Sequence, residues 1–180
     1  MRVAKRIAPT TIGAVMTDDE LRQLSKKVGE SLKRHGATLT AAESCTGGWI
    51  AKAITDIAGS SAWFERGFVT YSNEAKAQMI GVDPAVLEQH GAVSEPVVIQ
   101  MAQGALAAAH ATFAVSVSGI AGPDGGSEQK PVGTVWFGFA SHEGDVITRH
   151  ECFNGDRDAV RRQATVYALK TLWQQFLQKA

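Results

Sequence analysis

Three side chains that can act as nucleophiles, Ser44, Cys45 and Thr46, stand in a row between Glu43 and the pair Gly47-Gly48. A short β-like run over 38–42 leads in and an amphipathic segment over 49–57 leads out, so the stretch reads as a strand-to-helix turn. Such a turn offers unpaired main-chain N–H groups at the helix start, and its glycines let the backbone approach a ligand closely. A hydroxyl or thiol held there can attack a carbonyl carbon while those N–H groups stabilise the oxyanion. Because the three are adjacent, at most one points correctly at a substrate. The same residues also describe an ordinary βα loop with a helix cap.

A nucleophile of this kind needs a base. His35, His90, His110, His142 and His150 lie away from the loop in sequence, show no metal-ligand spacing, and fall mostly at helix ends or a hairpin. Lys76 is the better candidate. It lies in the first turns of a predicted helix over 74–80, where the helix dipole disfavours a cation. Desolvation there lowers its pKa toward the neutral amine that a base requires. Its competing role is a solvated cation on the helix surface. With Lys76 as base, Ser44 attacks a carboxamide carbonyl and the ammonium returns its proton to the leaving ammonia. Tyr71 either orients Lys76 and shares proton transfer or is a strand-end aromatic at the core edge. Cys45 is the rival nucleophile if a helix start lowers its pKa, and otherwise a small core residue. Glu43 either orients Lys76 or caps the neighbouring loop.

A second glycine-rich segment runs from Ser118 through Gly119, Ile120, Ala121, Gly122, Pro123, Asp124 and Gly125 to Gly126. Successive N–H groups in such a turn can form a nest for a phosphate or carboxylate. It carries neither the Gly-Lys-Ser/Thr ending of a P-loop nor a GxGxxG spacing. Ser94, at a predicted helix start, adds a hydroxyl to the same anion or simply caps its helix. Arg157, Arg161 and Arg162 sit beside Asp156 and Asp158, which suits either surface ion pairs or contact with a substrate phosphate, across a dimer in one version. Trp63 and Phe64 suit a cover over a ring-bearing ligand or an oligomer surface. Glu128 and Lys130 take no role.

The elements that must position these groups follow from periodicity and punctuation. Thr17 or Asp18 caps a helix to about His35, stopped by Gly36, and the strand over 38–42 feeds the Ser44 turn. A strand over 67–71 precedes the helix over 74–80, which Ser72 or Asn73 caps and Gly81 ends. A short helical piece over 82–91 follows. Pro96 opens a helix to Ala109, and a dense β-branched strand over 113–118 runs into the glycine loop. Strands over 132–140 and 145–153 form a hairpin, and a last helix covers 157–178. The pattern predicts a single three-layer α/β/α domain around a mixed, mostly parallel sheet, whose strand ends gather the four loops into one site.

Composition bounds the rest. The chain has 180 residues, 44% hydrophobic, which is enough for one domain with a real core. Eighteen basic and 18 acidic residues balance, so no net field draws nucleic acid or an anionic membrane. Residues 1–15 read as a leader, disordered or upstream of a true start at Met16. Without their Arg2, Lys5 and Arg6 the domain over 16–180 is mildly acidic. No apolar run approaches the roughly 20 residues that cross a bilayer. Two cysteines, Cys45 and Cys152, form no disulfide scaffold and suit a cytoplasmic setting.

Four blocks carry a specific resemblance: 40–48, 67–76, 91–95 and 118–126, all in order. Together they resemble the CinA carboxy-terminal domain family over about Met16 to the C-terminus. The resemblance implies hydrolytic deamidation of nicotinamide mononucleotide to nicotinate mononucleotide and ammonia, in pyridine nucleotide recycling. It implies Ser44 as nucleophile, Lys76 as base and Tyr71 as their partner. Substrate contacts then fall on Glu43, Cys45, Thr46, Gly47, Gly48, Ser94, Gly119, Ile120, Ala121, Gly122, Gly125, Gly126 and Arg157. It further implies a homodimer, with no metal and no cofactor. The alternative is a non-catalytic nucleotide-binding or competence- and damage-related regulatory module.

Overall fold

The computed structural model describes residues 16–178; the expected leader, 1–15, lies outside the described residues. Helix α1, Asp18–Arg34, starts where the Glu20 N–H donates to Thr17 Oγ1 at 3.1 Å. Asp18, Asp19 and Glu20 in its first turn and Lys33 and Arg34 in its last complement the helix dipole. Strand β1, Leu39–Glu43, is buried along its whole length. It opens into α2, Trp49–Thr55, and then a single 3-10 turn, Ser60–Ala62.

The second strand is much shorter than expected: β2 is only Phe68–Val69. Its pairing ends where the Thr70 N–H donates to the Glu43 carbonyl at 2.8 Å. Tyr71 then turns outward, 61% exposed. Helix α3, Asn73–Ile80, is capped by Ser72, whose Oγ accepts the Ala75 N–H at 3.0 Å. Asp83 caps α4, Pro84–His90, and α5, Glu95–Ala109, carries Pro96 in its first turn. Strands β3, Phe113–Gly119, β4, Thr134–Ser141, and β5, Val146–Cys152, precede α6, Arg157–Leu172. The final helical turn, Trp173–Leu177, is of the wider π type.

The strands lie in the order β2-β1-β3-β4-β5. Pairings β1–β2 and β1–β3 are parallel, and β3–β4 and β4–β5 are antiparallel. The sheet is mixed as expected, but evenly so rather than mostly parallel. The reason lies in the connections. Helices bridge β1 to β2 and β2 to β3, whereas β3 to β4 and β4 to β5 have no helix between them, and parallel return requires a long crossover.

Alternation on the strands feeds two helix layers. Leu39, Ala41, Val115, Val117, Val135, Phe137 and Phe139 pack with α1, α2 and α6. Ala42 and Trp136 pack on the opposite face with α3, α4 and α5. Trp63, a candidate ligand cover in the sequence, is 4% exposed in the first layer, its ring against Gly29 of α1. The second layer is drawn tight at Gly104 of α5, where an added Cβ would sit 1.8 Å from the Ile80 carbonyl oxygen that ends α3. Gly104→Ala is therefore expected to destabilise the fold by about 1–3 kcal/mol or more, since the obstacle is backbone. Urea unfolding measures it, and a change within about 0.5 kcal/mol would contradict the tight α3–α5 packing.

Candidate active site

The sheet's parallel half ends in the loops that were expected to converge. Ser44 is the first residue beyond β1, anchored by its N–H to the Val117 carbonyl at 3.0 Å. The chain then turns tightly, with the Gly47 N–H on Ser44 O at 3.0 Å and the Trp49 N–H on Thr46 O at 3.1 Å. Gly48 has φ +103° and has no side chain to cap α2. Glu43 does so instead: its Oε1 accepts the Ile50 N–H at 2.8 Å and its Oε2 the Ala51 N–H at 3.1 Å. Thr46 Oγ1 donates to the same carboxylate at 2.6 Å. A carboxylate 1% exposed is sustained by three donors and the positive end of a helix. Of the two roles read from sequence for Glu43, the geometry is that of the cap.

Lys76 is 1% exposed, the largest of the fully buried side chains. Its Nζ lies 3.1 Å from Ser44 Oγ, 2.9 Å from Thr70 O and 3.4 Å from Tyr71 O. Burial pushes its pKa below the ordinary lysine range. Nζ donates toward all three oxygens, and once neutral it can keep the two carbonyl bonds and turn its lone pair to the Ser44 hydroxyl. A protonated Nζ would still find three acceptors. The surface-cation alternative for Lys76 does not fit this burial.

Cys45 is also buried, and desolvation pushes its thiol up to about 12. That is the wrong direction for a thiolate nucleophile. Ser44 and Cys45 nevertheless share a cavity of ≈ 280 Å³ with Lys76, Tyr71, Asn73, Ala92, Val93, Ser118, Gly119, Ala121 and Arg157. Arg157 brings a guanidinium to it, and among the described residues no carboxylate lines it. Arg157 Nη1 donates to Gly122 O at 2.8 Å and Nη2 to Tyr71 Oη at 3.1 Å. Tyr71 thus meets Lys76 through its main-chain carbonyl, while its phenol belongs to Arg157.

Other residues singled out from sequence stand further off. Thr46, Gly47 and Gly48 line a separate shallow depression with Trp49, Lys52 and Arg161. Ser94 Oγ donates to Gly91 O at 2.7 Å, and Ala92 and Val93 before it reach the cavity instead. Of the glycine loop, Gly119 and Ala121 line the cavity; Ile120, Gly122, Gly125 and Gly126 do not. Gly126 packs against the backbone of Val132 and Lys130. Asn73 and Ser118 also line the cavity, although the sequence marks Asn73 as a candidate cap and Ser118 as the start of the glycine-rich loop and neither as a site residue. Among the described residues no group of three or more His, Cys, Asp or Glu is placed to hold a metal ion, and no helix is long and apolar enough to cross a membrane.

The chain as a whole is similar to known proteins. The sequence profile of the CinA C-terminal domain matches residues 21–176. The chain belongs to the CinA C-terminal domain family. Nicotinamide-nucleotide amidohydrolase PncC of Escherichia coli strain K12 is 78% identical over 163 residues, covering 91% of this chain and 99% of that protein. The protein of the same name from Pseudomonas putida is 53% identical, with 87% and 97% covered. Among solved structures, competence/damage inducible protein CihA from Agrobacterium tumefaciens superposes with a TM-score of 0.85 at 43% identity, covering 88% of this chain and 95% of that one. A CinA superfamily protein from Enterobacter cloacae gives 0.82 at 35%, covering 86% and 91%.

Within this CinA-type domain, Lys76 links stability to pH. Its folded-state pKa is depressed, so the unfolded chain binds more protons between that value and about 10.4. Stability therefore rises with pH through that window. Lys76→Met is expected to remove this contribution, so its stability relative to the parent should fall as pH climbs toward about 10.4. Paired urea titrations at neutral pH and near the top of the window measure this; a constant difference would contradict a desolvated amine.

Proposed function

We infer that this chain is a nicotinamide-nucleotide amidohydrolase, converting nicotinamide mononucleotide and water to nicotinate mononucleotide and ammonia in pyridine nucleotide recycling. Near-full-length likeness to proteins of that name supports the substrate. The observation that carries the chemistry is the buried 3.1 Å contact between Lys76 Nζ and Ser44 Oγ.

The proposed reaction has two halves. Neutral Lys76 takes the Ser44 proton as Oγ attacks the carboxamide carbon. The N–H groups of Cys45 and Thr46, which have no carbonyl partner among the described residues, are the nearest oxyanion donors. Lys76 then gives the proton to the departing nitrogen, which leaves as ammonia, and Ser44 holds the nicotinoyl group as an ester. Water, deprotonated by Lys76, cleaves that ester to release the acid and restore the Ser44 hydroxyl. Arg157, the permanent cation of the cavity, is the partner for the nucleotide phosphate, helped by backbone at Gly119 and Ala121. Tyr71 holds the Arg157 guanidinium through its phenol and shares Lys76 through its carbonyl.

We further propose a homodimer in the cytoplasm, and sedimentation equilibrium of the purified chain tests the former. A regulatory role finds support in relatives such as the "Putative competence-damage inducible protein" of Symbiobacterium thermophilum, 47% identical but with only 42% of its length covered. Ammonia release from nicotinamide mononucleotide separates the two: folded protein with no release above background would remove the amidase reading.

Ser44→Ala is expected to lower turnover at least about 10³-fold, whereas Cys45→Ser stays within about ten-fold. A reversed ranking would transfer the nucleophile to Cys45. kcat/KM should rise with pH to a plateau reached below the ordinary lysine range, because only neutral Lys76 is the base. A rate that falls across that range would contradict the assignment.

A further inference from the structure

We propose that Arg161 is a positioning residue that holds the Cys45–Thr46 and Thr46–Gly47 peptide planes, and with them the Thr46 N–H, in the orientation the oxyanion requires. This rests on the amidase reading. Arg161 Nε donates to Cys45 O at 3.0 Å and Nη2 to Thr46 O at 3.2 Å. In trans peptides the N–H points opposite the carbonyl, so anchoring the Cys45 and Thr46 carbonyls fixes the direction of the N–H groups of Thr46 and Gly47. The Gly47 N–H is turned onto Ser44 O, which closes the turn around the nucleophile.

Two observations set Arg161 apart from Arg162 on α6. Arg162 pairs with Asp18 Oδ1 at 2.8 Å, as a surface ion pair should, while Arg161 has no carboxylate partner among the described residues and spends its donors on main chain. Both guanidinium groups lie over the Trp49 ring, Arg161 at 5.7 Å and Arg162 at 5.0 Å from the centroid, but only Arg161 presses on Gly47, where a Cβ would be 3.2 Å from Nη2. The loop's other side is held by the buried Glu43 carboxylate through Thr46 Oγ1 and the start of α2. Ser44 is therefore clamped between Glu43, fixed in β1, and a fork delivered by α6. One helical turn earlier, the same helix delivers Arg157 to the cavity, so α6 sets nucleophile loop and anion partner in one frame. Lysine cannot replace the fork, because a single ammonium does not reproduce its planar pair of donors.

The test compares Arg161→Ala, Arg161→Lys and the control Arg162→Gln in the full chain. Two readouts are used: steady-state deamidation of nicotinamide mononucleotide, and hydrogen exchange across residues 44–49. Arg161→Ala is expected to lose on the order of a hundred-fold in kcat with KM held within about three-fold, as misplacement near 1 Å does. Added guanidinium should restore part of the loss, Arg161→Lys should fall between, and exchange over 44–49 should quicken in both. If Arg161→Ala does not fold, Arg161→Lys decides on the same two readouts. Turnover within about two-fold of the parent, a loss shared equally by Arg162→Gln, or a loss appearing wholly in KM would overturn the proposal. Should the parent itself release no ammonia, the amidase reading fails, and hydrogen exchange still judges the clamp: unchanged exchange over 44–49 overturns it.

Discussion

A lysine amine removed from water is the constraint on which the site depends. Burying an ammonium alone is prohibitive, and the group responds by giving up its proton more readily. Lys76 remains inside because the fold places three oxygens around Nζ, two of them carbonyls at the end of the short β2 strand. Those carbonyls are free to accept because β2 pairing stops at Thr70 and the chain peels away into α3. The brevity of β2 and the carbonyl partners of Lys76 are two consequences of one backbone path.

The surrounding layers hold that path in place. On one face, α5 approaches the end of α3 so closely that only glycine fits at position 104. On the other, α6 spans the loops after β1 and β3, with Arg157 on Gly122 O and Arg161 on the carbonyls of Cys45 and Thr46. The buried Glu43 carboxylate does for α2 what Gly48 cannot, supplying the acceptor that a helix start lacks. Serine and lysine come from segments 32 residues apart. Their separation is held by packing on both faces of the sheet, where close-packed interiors transmit small displacements.

Much of this was legible in local chemistry. Helix limits followed caps and breakers: Thr17, Ser72, Asp83, Pro96 and Gly81 act where their side chains and backbone preferences predict. The near-continuous burial of β3 and β4 came with their β-branched and aromatic residues. The length of β2 was not legible, since Gly67 to Tyr71 has strand-like composition throughout and only the partner strand decides where pairing ends. The even balance of parallel and antiparallel strands was likewise hidden, because it depends on which connections carry helices over the sheet.

The sequence by itself determined the kinds of chemistry available: a serine in a glycine-softened βα turn, a lysine at a helix start, a glycine-rich loop and the family blocks that contain them. These are local properties, set by side-chain chemistry and backbone freedom within a few residues. Tertiary structure alone decided which groups act together. It buried Lys76 against Ser44, buried the Cys45 thiol, turned Glu43 to α2 and Tyr71's phenol to Arg157, and gave Arg157 and Arg161 different partners from Arg162. Each of those outcomes depends on desolvation and on distances between segments remote in the chain, and neither exists until the sheet and its two helix layers have closed.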